Sequence, residues 1–248
     1  MSETLFKKYN VPVPRYTSYP TANSFGPFDE TDYLKAVETS NDATADNISF
    51  YIHVPFCRHL CHYCGCNSVA MAKPDRITEY FETLHKEIEL LLPHLRKGRR
   101  ISQIHYGGGS PSSMPLHFIR SINEHLLSAF ETIDRPEIAI ECHPGYLKEE
   151  DWHYLLDSGF NRFSLGIQDF NDEVLRCVNR QPALLPVETI MRILREGGAK
   201  VNFDFIYGLP KQSVSAFVST IKKAISLRPD RLVTFSYAHL PSLFKRQM

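Results

Sequence analysis

The chain has 248 residues, 43% of them hydrophobic and 23% charged, with 28 basic residues against 28 acidic ones. A chain of this length can bury one substantial core, with room for a small appendage. The balanced charge argues against a nucleic-acid partner, which normally requires a basic excess, and no stretch is apolar for long enough to predict a membrane span. Four of the six cysteines fall within ten residues, which favours reduced thiols and a cytoplasmic location over a disulfide framework.

Residues 1–47 are predicted to form an N-terminal arm that folds over the functional site. The segment 13–22 is dense in proline and tyrosine, which favours an extended chain with turns. One short helix is expected from Asp32 to Glu38.

Strand and helix patterns alternate through residues 48–248, which are predicted to form the main domain. Such alternation is typical of a parallel sheet with right-handed crossovers. A full eight-unit barrel needs about 250 residues, so six strands predict an α/β fold with an incomplete, open-sided (βα)6 barrel. The strands are predicted at 49–55, 102–106, 137–142, 162–167, 201–207 and 231–237.

The first predicted strand leads directly into a cysteine-rich loop with the spacing C-x3-C-x2-C-x-C, formed by Cys57, Cys61, Cys64 and Cys66. Thiolates are the ligands that iron–sulfur clusters and zinc select. Structural zinc usually takes two separated ligand pairs, and the sequence offers no clear second pair. Three cysteines on one loop would leave one iron of a [4Fe–4S] cluster open to a cofactor or substrate. A zinc-stabilised module is the alternative interpretation.

Polar or flexible residues follow each of the other predicted strands. In barrel enzymes the reactive groups gather at the C-terminal ends of the strands, so this rim is the predicted site. The glycines 107–109 are expected to let a ligand approach bare backbone N–H groups. Asp204 is expected to point into the barrel with its charge unpaired by any sequence neighbour. Glu141, Gln168 and the segment 237–239 end three further strands.

The extended motif from Tyr51 to Asn67 resembles the signature of the oxygen-independent coproporphyrinogen III oxidases (dehydrogenases), a family of radical S-adenosylmethionine (SAM) enzymes. The segments 15–22, 179–181 and 206–212 also match that family. Its Gly-Gly-Gly-Thr-Pro sequence stands here as 107–111, with serine in place of threonine. The resemblance runs from about Val13 to Phe244 and implies a six-stranded partial barrel of radical SAM type.

The resemblance implies an enzyme, an oxidoreductase that decarboxylates two propionates of coproporphyrinogen III to the vinyl groups of protoporphyrinogen IX, without oxygen, in haem biosynthesis. It implies one [4Fe–4S] cluster and two SAM molecules per site. The implied cluster ligands are Cys57, Cys61 and Cys64. The implied SAM contacts are Tyr51, Gly108 and Glu141 for the cluster-bound molecule, and Tyr63, Gly109, Ser110, Gln168, Arg180, Asp204 and Ala238 for the second.

The partners expected from this resemblance are coproporphyrinogen III, an electron donor and an electron acceptor, with the protein acting as a monomer. Arg15 is a candidate partner for a substrate carboxylate, because guanidinium groups pair bidentately with carboxylates. Family members continue into a helical C-terminal domain that this chain is expected to lack. We therefore expect an exposed apolar flank beside the sixth strand, and a chain that binds its cluster without completing the reaction.

A haem-binding or haem-transfer relative of the same superfamily is the alternative function. Such a relative shares the barrel and the three cysteines. Cys66 and the segment 15–20 favour the oxidase, because the relative is expected to lack both.

Overall fold

The computed structural model describes residues 3–9, 21, 24–42, 46–242 and 247, and divides into two compact units, Met1–Asp42 and Ala43–Met248. The first unit contains helix α1 (Glu3–Tyr9) and helix α2 (Glu30–Thr39). The Asp29 side chain caps α2, accepting from the Asp32 amide at 2.9 Å. The predicted helix at Asp32–Glu38 is thus confirmed.

Helix α1 has only seven residues, too few for a sequence pattern to predict it, since isolated helices need about 12–15 residues for stability. The extended segment predicted at 13–22 falls, except for Thr21, outside the described residues, and Arg15 lies within it. Its position over the site stays a prediction.

The second unit alternates strands with helices along the chain. Its strands are β1 (Asn47–Val54), β2 (Phe56–Cys57), β3 (Val69–Ala70), β4 (Arg100–Gly108), β5 (Thr132–Cys142), β6 (Arg162–Gln168), β7 (Lys200–Tyr207) and β8 (Arg231–Ser236). Its α-helices are α3 (Pro74–Leu91), α4 (Leu116–Ala129), α5 (Glu149–Asp157), α6 (Asp172–Cys177), α7 (Val187–Glu196) and α8 (Val214–Ser226). Among these described helices, none combines the length and apolar character needed to cross a membrane.

Six strands form one parallel sheet in the order β1-β4-β5-β6-β7-β8. Helices connect neighbouring strands, as parallel pairing requires. The α/β class and the incomplete (βα)6 barrel are therefore confirmed. All six predicted strands are present. β1, β4, β5 and β7 begin earlier than predicted, with the largest difference at β5.

The two faces of the sheet differ because side chains alternate along each strand. Ile104, Tyr106, Phe163 and Phe203 point to the helix side, where all four are fully buried. The opposite face carries mainly polar side chains in the lumen of the barrel. The apolar helix layer therefore stabilises the sheet and leaves the lumen free for chemistry.

An apolar flank is exposed beside the last strand, as expected. On β8, Leu232 and Phe235 are 37% and 47% exposed, and on α8, Val214 and Ile225 are 84% and 58% exposed.

The short ladder between β2 and β3 was not predicted, because strands of two residues carry no periodic pattern.

Candidate active site

The cysteine loop, residues 57–66, is closed at its base by the ladder between β2 and β3. The Val69 amide donates to the Pro55 carbonyl at 2.9 Å, and the Met71 amide donates to the Cys57 carbonyl at 2.8 Å. These bonds fix where the loop leaves the rim and where it returns. Three cysteines of the loop are half-buried, namely Cys57, Cys61 and Cys64. The fourth, Cys66, is exposed.

The thiols of this loop lie close enough to influence one another. Burial raises the pKa of Cys57 to about 11, and the neighbouring Cys64 and Cys61 add to the shift. A hydrogen bond from Cys66 lowers the pKa of Cys64, and the same bond with burial raises the pKa of Cys66. Deprotonating all of them together is costly unless a cation is bound among them.

The donor set fits a cluster better than a single ion. In the part of the chain that the structure describes, no three histidine, cysteine, aspartate or glutamate side chains converge to hold one metal ion. In an iron–sulfur cluster each thiolate binds a different iron, so the sulfurs surround a larger group without meeting at one point. Interacting but separated thiols match that requirement.

Residues 178–180 lie far from the cysteine loop in the sequence but are hydrogen bonded to it. The His62 amide donates to the Val178 carbonyl at 3.0 Å. The Asn179 amide group donates to the Leu60 carbonyl at 3.1 Å, with Asn179 in the left-handed region at φ 57°. Val178 and Asn179, the latter in the matched segment 179–181, therefore hold the cysteine loop in place.

Arg180 also contacts the cysteine loop and places a buried cation beside it. Its guanidinium donates to the Cys61 sulfur at 3.8 Å and to the Gly166 carbonyl. The Tyr63 hydroxyl is also buried, and burial raises its pKa. Since a guanidinium stays protonated, Arg180 places a permanent positive charge beside a candidate cluster ligand.

Gly109, the last glycine of the run, has a different role from the one predicted. The Gly109 amide donates to the Val54 carbonyl at 2.8 Å, and the Ser110 amide donates to the Phe56 carbonyl at 3.0 Å. These two N–H groups are therefore not open to a ligand, which corrects the expectation. A Cβ on Gly109 would lie 2.5 Å from the Pro55 carbonyl oxygen, so glycine is needed for close packing of the strands.

Ser110 lies behind the rim rather than on it. Its side chain is 6% exposed, and its hydroxyl is hydrogen bonded to that of Ser113 at 2.7 Å. Gly108 has φ 109°, and a Cβ there would lie 2.6 Å from the His53 ring. Both positions shape the rim through the backbone.

A polar cavity of about 240 Å³ occupies the lumen of the barrel. On one side the His105 ring contacts the Glu141 carboxylate at 3.3 Å and stacks beneath Tyr51 with centroids 5.8 Å apart. On the other side lie Asp204 and Ser164. The cavity is lined by His105, Ala139, Ile140, Glu141, Arg162, Ser164, Asn202, Asp204, Arg231, Val233 and Phe235.

Asp204 points into this cavity as predicted, and its hydrogen-bond partners are neutral groups. Its carboxylate accepts from the Ser164 hydroxyl at 3.1 Å and from the Asn202 amide at 2.9 Å. Asn202 lies two residues before Asp204 on β7, and residues two apart on a strand share a face, so strand alternation accounts for this contact. Burial raises the pKa of Asp204, and these two bonds oppose that shift.

Two histidines that the sequence analysis did not select support the predicted residues. His53 contacts the Tyr51 hydroxyl at 3.2 Å and the Asn67 carbonyl at 2.8 Å, so it connects the lumen to the cysteine loop. His105 contacts Glu141, as described above. Each lies two residues from a predicted position, Tyr51 or Gly107, and this period-two spacing could have identified them.

Gln168 ends β6 in the left-handed region at φ 65°, with its side chain 9% exposed. Its Oε1 is buried with no hydrogen-bond partner among the described residues. Buried polar atoms are almost always satisfied, so this atom is a candidate acceptor for a hydrogen bond from a bound ligand. A Cβ on neighbouring Gly166 would lie 2.6 Å from Arg180, so glycine is required there too.

Ala238 is exposed beyond β8 and reaches the site through its backbone. Its carbonyl accepts from the Gln247 side chain at 3.0 Å, and the same amide donates to the His62 carbonyl at 3.0 Å. Gln247 thereby connects the end of the barrel to the cysteine loop.

The predicted residues thus form two groups around the rim. Tyr51, Glu141 and Asp204 face the lumen, whereas Tyr63 belongs to the cysteine loop and Arg180 contacts that loop, with Gln168 nearby. Gly108, Gly109, Ser110 and Ala238 contribute through backbone packing. Of the two outlying cysteines, Cys142 is buried and Cys177 is half-buried.

Comparison with protein families gives a match to the Radical SAM superfamily over residues 51–224. The oxygen-independent coproporphyrinogen III oxidase of Escherichia coli K12 is 40% identical over 98% of this chain and 53% of its own length. That of Pseudomonas aeruginosa is 39% identical over 98% of this chain and 54% of its own length. This chain therefore spans about half the length of the curated relatives it matches.

Solved structures give the same result. The coproporphyrinogen III oxidase of E. coli, described as a radical SAM enzyme, matches with a TM-score of 0.86 and 38% identity, covering 99% of this chain and 55% of its own. A radical SAM methyltransferase from Kitasatospora setae matches with a TM-score of 0.55 at 13% identity, covering 84% of this chain and 36% of its own. The second match concerns the fold alone.

Proposed function

This chain belongs to the radical SAM superfamily, and we propose that it carries the oxygen-independent coproporphyrinogen III oxidase reaction. In that reaction two propionates of coproporphyrinogen III are oxidatively decarboxylated to the vinyl groups of protoporphyrinogen IX. The observation that carries the proposal is the 40% identity to the E. coli oxidase over 98% of this chain.

Superfamily membership implies a [4Fe–4S] cluster and SAM as cofactors. When bound, these groups supply one-electron and radical chemistry that amino-acid side chains do not provide. We propose Cys57, Cys61 and Cys64 as the cluster ligands, which leaves one iron open. Cys66, the exposed cysteine, lies outside this set.

The lumen and rim residues are proposed to hold two SAM molecules. Tyr51, Gly108 and Glu141 correspond to positions around the cluster-bound molecule. The positions proposed around the second are Tyr63, Gly109, Ser110, Gln168, Arg180, Asp204 and Ala238. The free Oε1 of Gln168 and the oriented Asp204 carboxylate support polar recognition at this end.

The protein's own contribution is orientation and charge placement. Arg180 donates to the Cys61 sulfur and so orients that side chain as a proposed cluster ligand. Ser164 and Asn202 fix both oxygens of Asp204, which leaves their outer lone pairs to accept from a ligand hydroxyl. His105 holds Glu141 and Tyr51 at one wall of the cavity.

The proposed reaction also defines its partners. Each decarboxylation removes a hydrogen atom and then an electron along with carbon dioxide, so an electron acceptor is required besides the initial electron donor. We propose a monomer in the cytoplasm, where the clustered cysteines stay reduced.

The test is anaerobic reconstitution of the full chain with iron and sulfide, followed by dithionite reduction with SAM and coproporphyrinogen III. We expect about four irons and four sulfides per chain and formation of 5′-deoxyadenosine. Since the chain spans about half the length of its curated relatives, conversion of the porphyrinogen would show that this half is sufficient for the reaction. The Cys61→Ala variant is expected to lose the cluster, and Cys66→Ala is expected to retain it.

Three outcomes would contradict parts of the proposal. One zinc without sulfide would contradict the radical site. SAM cleavage that proceeds equally with and without coproporphyrinogen III, with no binding of the porphyrinogen, would contradict the substrate. Tight stoichiometric haem binding without SAM cleavage would instead support the haem-binding alternative.

A further inference from the structure

A pair of histidines lies on the outer face of the barrel, away from the lumen. His85 is on α3 and His125 is on α4. Their Nδ1 atoms are 2.8 Å apart, and their rings are within 22° of parallel with centroids 5.0 Å apart. Near-parallel rings at that separation meet edge to edge, so the two nitrogens face each other in the ring planes.

The outer nitrogen of each ring is held by a residue of the other helix. His125 Nε2 contacts the Glu89 carboxylate at 2.7 Å, and His85 Nε2 contacts the Ser121 hydroxyl at 3.2 Å. Glu89 follows His85 by four residues, and His125 follows Ser121 by four. Each helix therefore presents an i, i+4 pair on one face, and the two pairs cross-link.

These contacts determine where the hydrogens lie. A carboxylate only accepts, so His125 Nε2 is the donor to Glu89. The single hydroxyl hydrogen of Ser121 points to the Phe118 carbonyl at 2.8 Å, its shorter contact, so His85 Nε2 donates to Ser121. With both Nε2 atoms protonated, two neutral rings direct lone pairs at each other from their Nδ1 atoms. One cation between the nitrogens, a proton or a metal ion, resolves this conflict.

We propose that the His85–His125 pair binds a divalent transition metal ion of the zinc, copper or nickel class through the two Nδ1 atoms. Imidazole is a preferred ligand for these ions. A histidine ligand whose other nitrogen donates to a carboxylate is the usual second-shell arrangement at zinc, and His125–Glu89 has it. The site is independent of the function proposed for the lumen.

The coordination is incomplete, because no third histidine, cysteine, aspartate or glutamate joins the pair in the described part of the chain. Water completes it from an open surface depression lined by His85, Lys86, Glu89, Leu90 and His125. The Lys86 ammonium in this depression opposes a cation. Tetrahedral zinc, with Zn–N distances of about 2.0–2.1 Å, needs nitrogens roughly 3.3 Å apart, so the rings must separate by about half an ångström.

A metal ion bound here would cross-link α3 and α4, the two helices that flank β4. Because the ion binds only the folded arrangement of the two helices, it raises the unfolding temperature, and the increase follows the logarithm of the free ion concentration once this exceeds Kd. The expected effect of the site is therefore structural stabilisation of the barrel wall.

The test is calorimetric titration of Zn²⁺ into the cluster-loaded protein under anaerobic conditions, where the cluster occupies its cysteine ligands. We expect the wild type to bind one more Zn²⁺ than the His85→Ala and His125→Ala variants. The matched control is His153→Ala, which removes an exposed histidine from α5 and is expected to bind as the wild type does. X-ray absorption at the zinc edge is expected to show two imidazole ligands.

The Glu89→Gln variant tests orientation without removing either ligand. It is expected to weaken Zn²⁺ binding by about 10–100-fold, the usual effect of a second-shell change. Equal stoichiometry and affinity in the wild type, both alanine variants and the His153→Ala control would overturn the proposal. Unchanged affinity in Glu89→Gln would overturn the part assigned to the carboxylate.

Discussion

The Arg180 guanidinium lies 3.8 Å from the Cys61 sulfur, and the two residues are 119 positions apart in the sequence. Arg180 is only 8% exposed and also donates to the Gly166 carbonyl at the end of β6. The buried Arg180 cation thus connects the cysteine loop, which follows β1, to β6, a strand that is not adjacent to β1 in the sheet. We therefore expect cluster retention to depend on Arg180, a residue outside the proposed set of iron ligands.

Replacing Arg180 with methionine is expected to reduce both stability and iron content. The change leaves the Gly166 carbonyl without its donor, a loss of about 1–3 kcal/mol in the free energy of unfolding. Urea unfolding and iron analysis after reconstitution measure the two effects. Arg180→Lys keeps the charge without the planar fork, so it is expected to retain more iron than methionine. Wild-type iron content in Arg180→Met would contradict this role.

The glycine run gives a second prediction, with a control in the same site. In Gly109→Ala the new Cβ would lie 2.5 Å from the Pro55 carbonyl oxygen, whereas a Cβ on Gly65 meets nothing within 4 Å. We expect Gly109→Ala to lower the free energy of unfolding by about 1–3 kcal/mol through overpacking. Gly65→Ala is expected to change it by less than about 0.5 kcal/mol. Equal unfolding midpoints for the two variants would contradict the packing argument.

The sequence predicted those parts of the molecule that depend on local pattern. Buried strands follow from apolar runs, and Gly159, at φ 89°, follows the end of α5, where glycine is favoured. The cysteine spacing identified the loop because ligand spacing is local. The polar strand ends identified the rim because parallel strands bring their C-terminal ends together.

Contacts between distant segments could not be predicted in this way. Nothing near Asn179 in sequence indicates that its side chain bonds the Leu60 carbonyl. The glycine run was interpreted as open backbone, but the Gly109 amide is bonded to Val54. Both errors have one cause, because hydrogen-bond partners across a sheet depend on register, which a single strand does not encode.

Gln212 provides a third prediction, on the loops beside the rim. Its side chain donates to Asp169 Oδ2 at 2.6 Å and to the Ile206 carbonyl at 3.1 Å, and accepts from the Gly208 amide at 2.6 Å. Gln212→Leu keeps much of the volume but removes all three bonds. We expect the free energy of unfolding to fall by about 1–3 kcal/mol, since Asp169 is buried.

The neighbouring Lys211 is the matched control for that change. Its ion pair with Glu173 lies at the surface, with both side chains more than half exposed, and exposed pairs contribute little. Lys211→Gln is therefore expected to unfold close to the wild type in urea. If Gln212→Leu also unfolds like the wild type, the three bonds do not hold the two loops together.

The burial of His143 predicts how the free energy of unfolding depends on pH. It is 8% exposed, its Nε2 has no partner among the described residues, and its Nδ1 accepts from the Gly145 amide at 3.1 Å. Burial, with the nearby Arg180 charge, lowers the pKa of His143 to about 2, from the usual 6.5. Below pH 6.5 the unfolded chain therefore binds a proton that the folded chain excludes until about pH 2. Stability falls as the pH falls through this window, by about 1.4 kcal/mol per pH unit for one proton.

His143→Asn removes this proton but keeps an acceptor for Gly145. The unfolding free energy of the metal-free variant is expected to fall less steeply than that of the wild type between pH 6 and 4.5. The difference in unfolding free energy between the variant and the wild type should change by about 2 kcal/mol over that range, because one proton contributes about 1.4 kcal/mol per pH unit. Replacing the exposed His153 with asparagine is expected to leave the slope of the wild type unchanged. Parallel curves for His143→Asn and the wild type would show that folded His143 takes up its proton near the usual pH, and its burial would then have no part in acid unfolding.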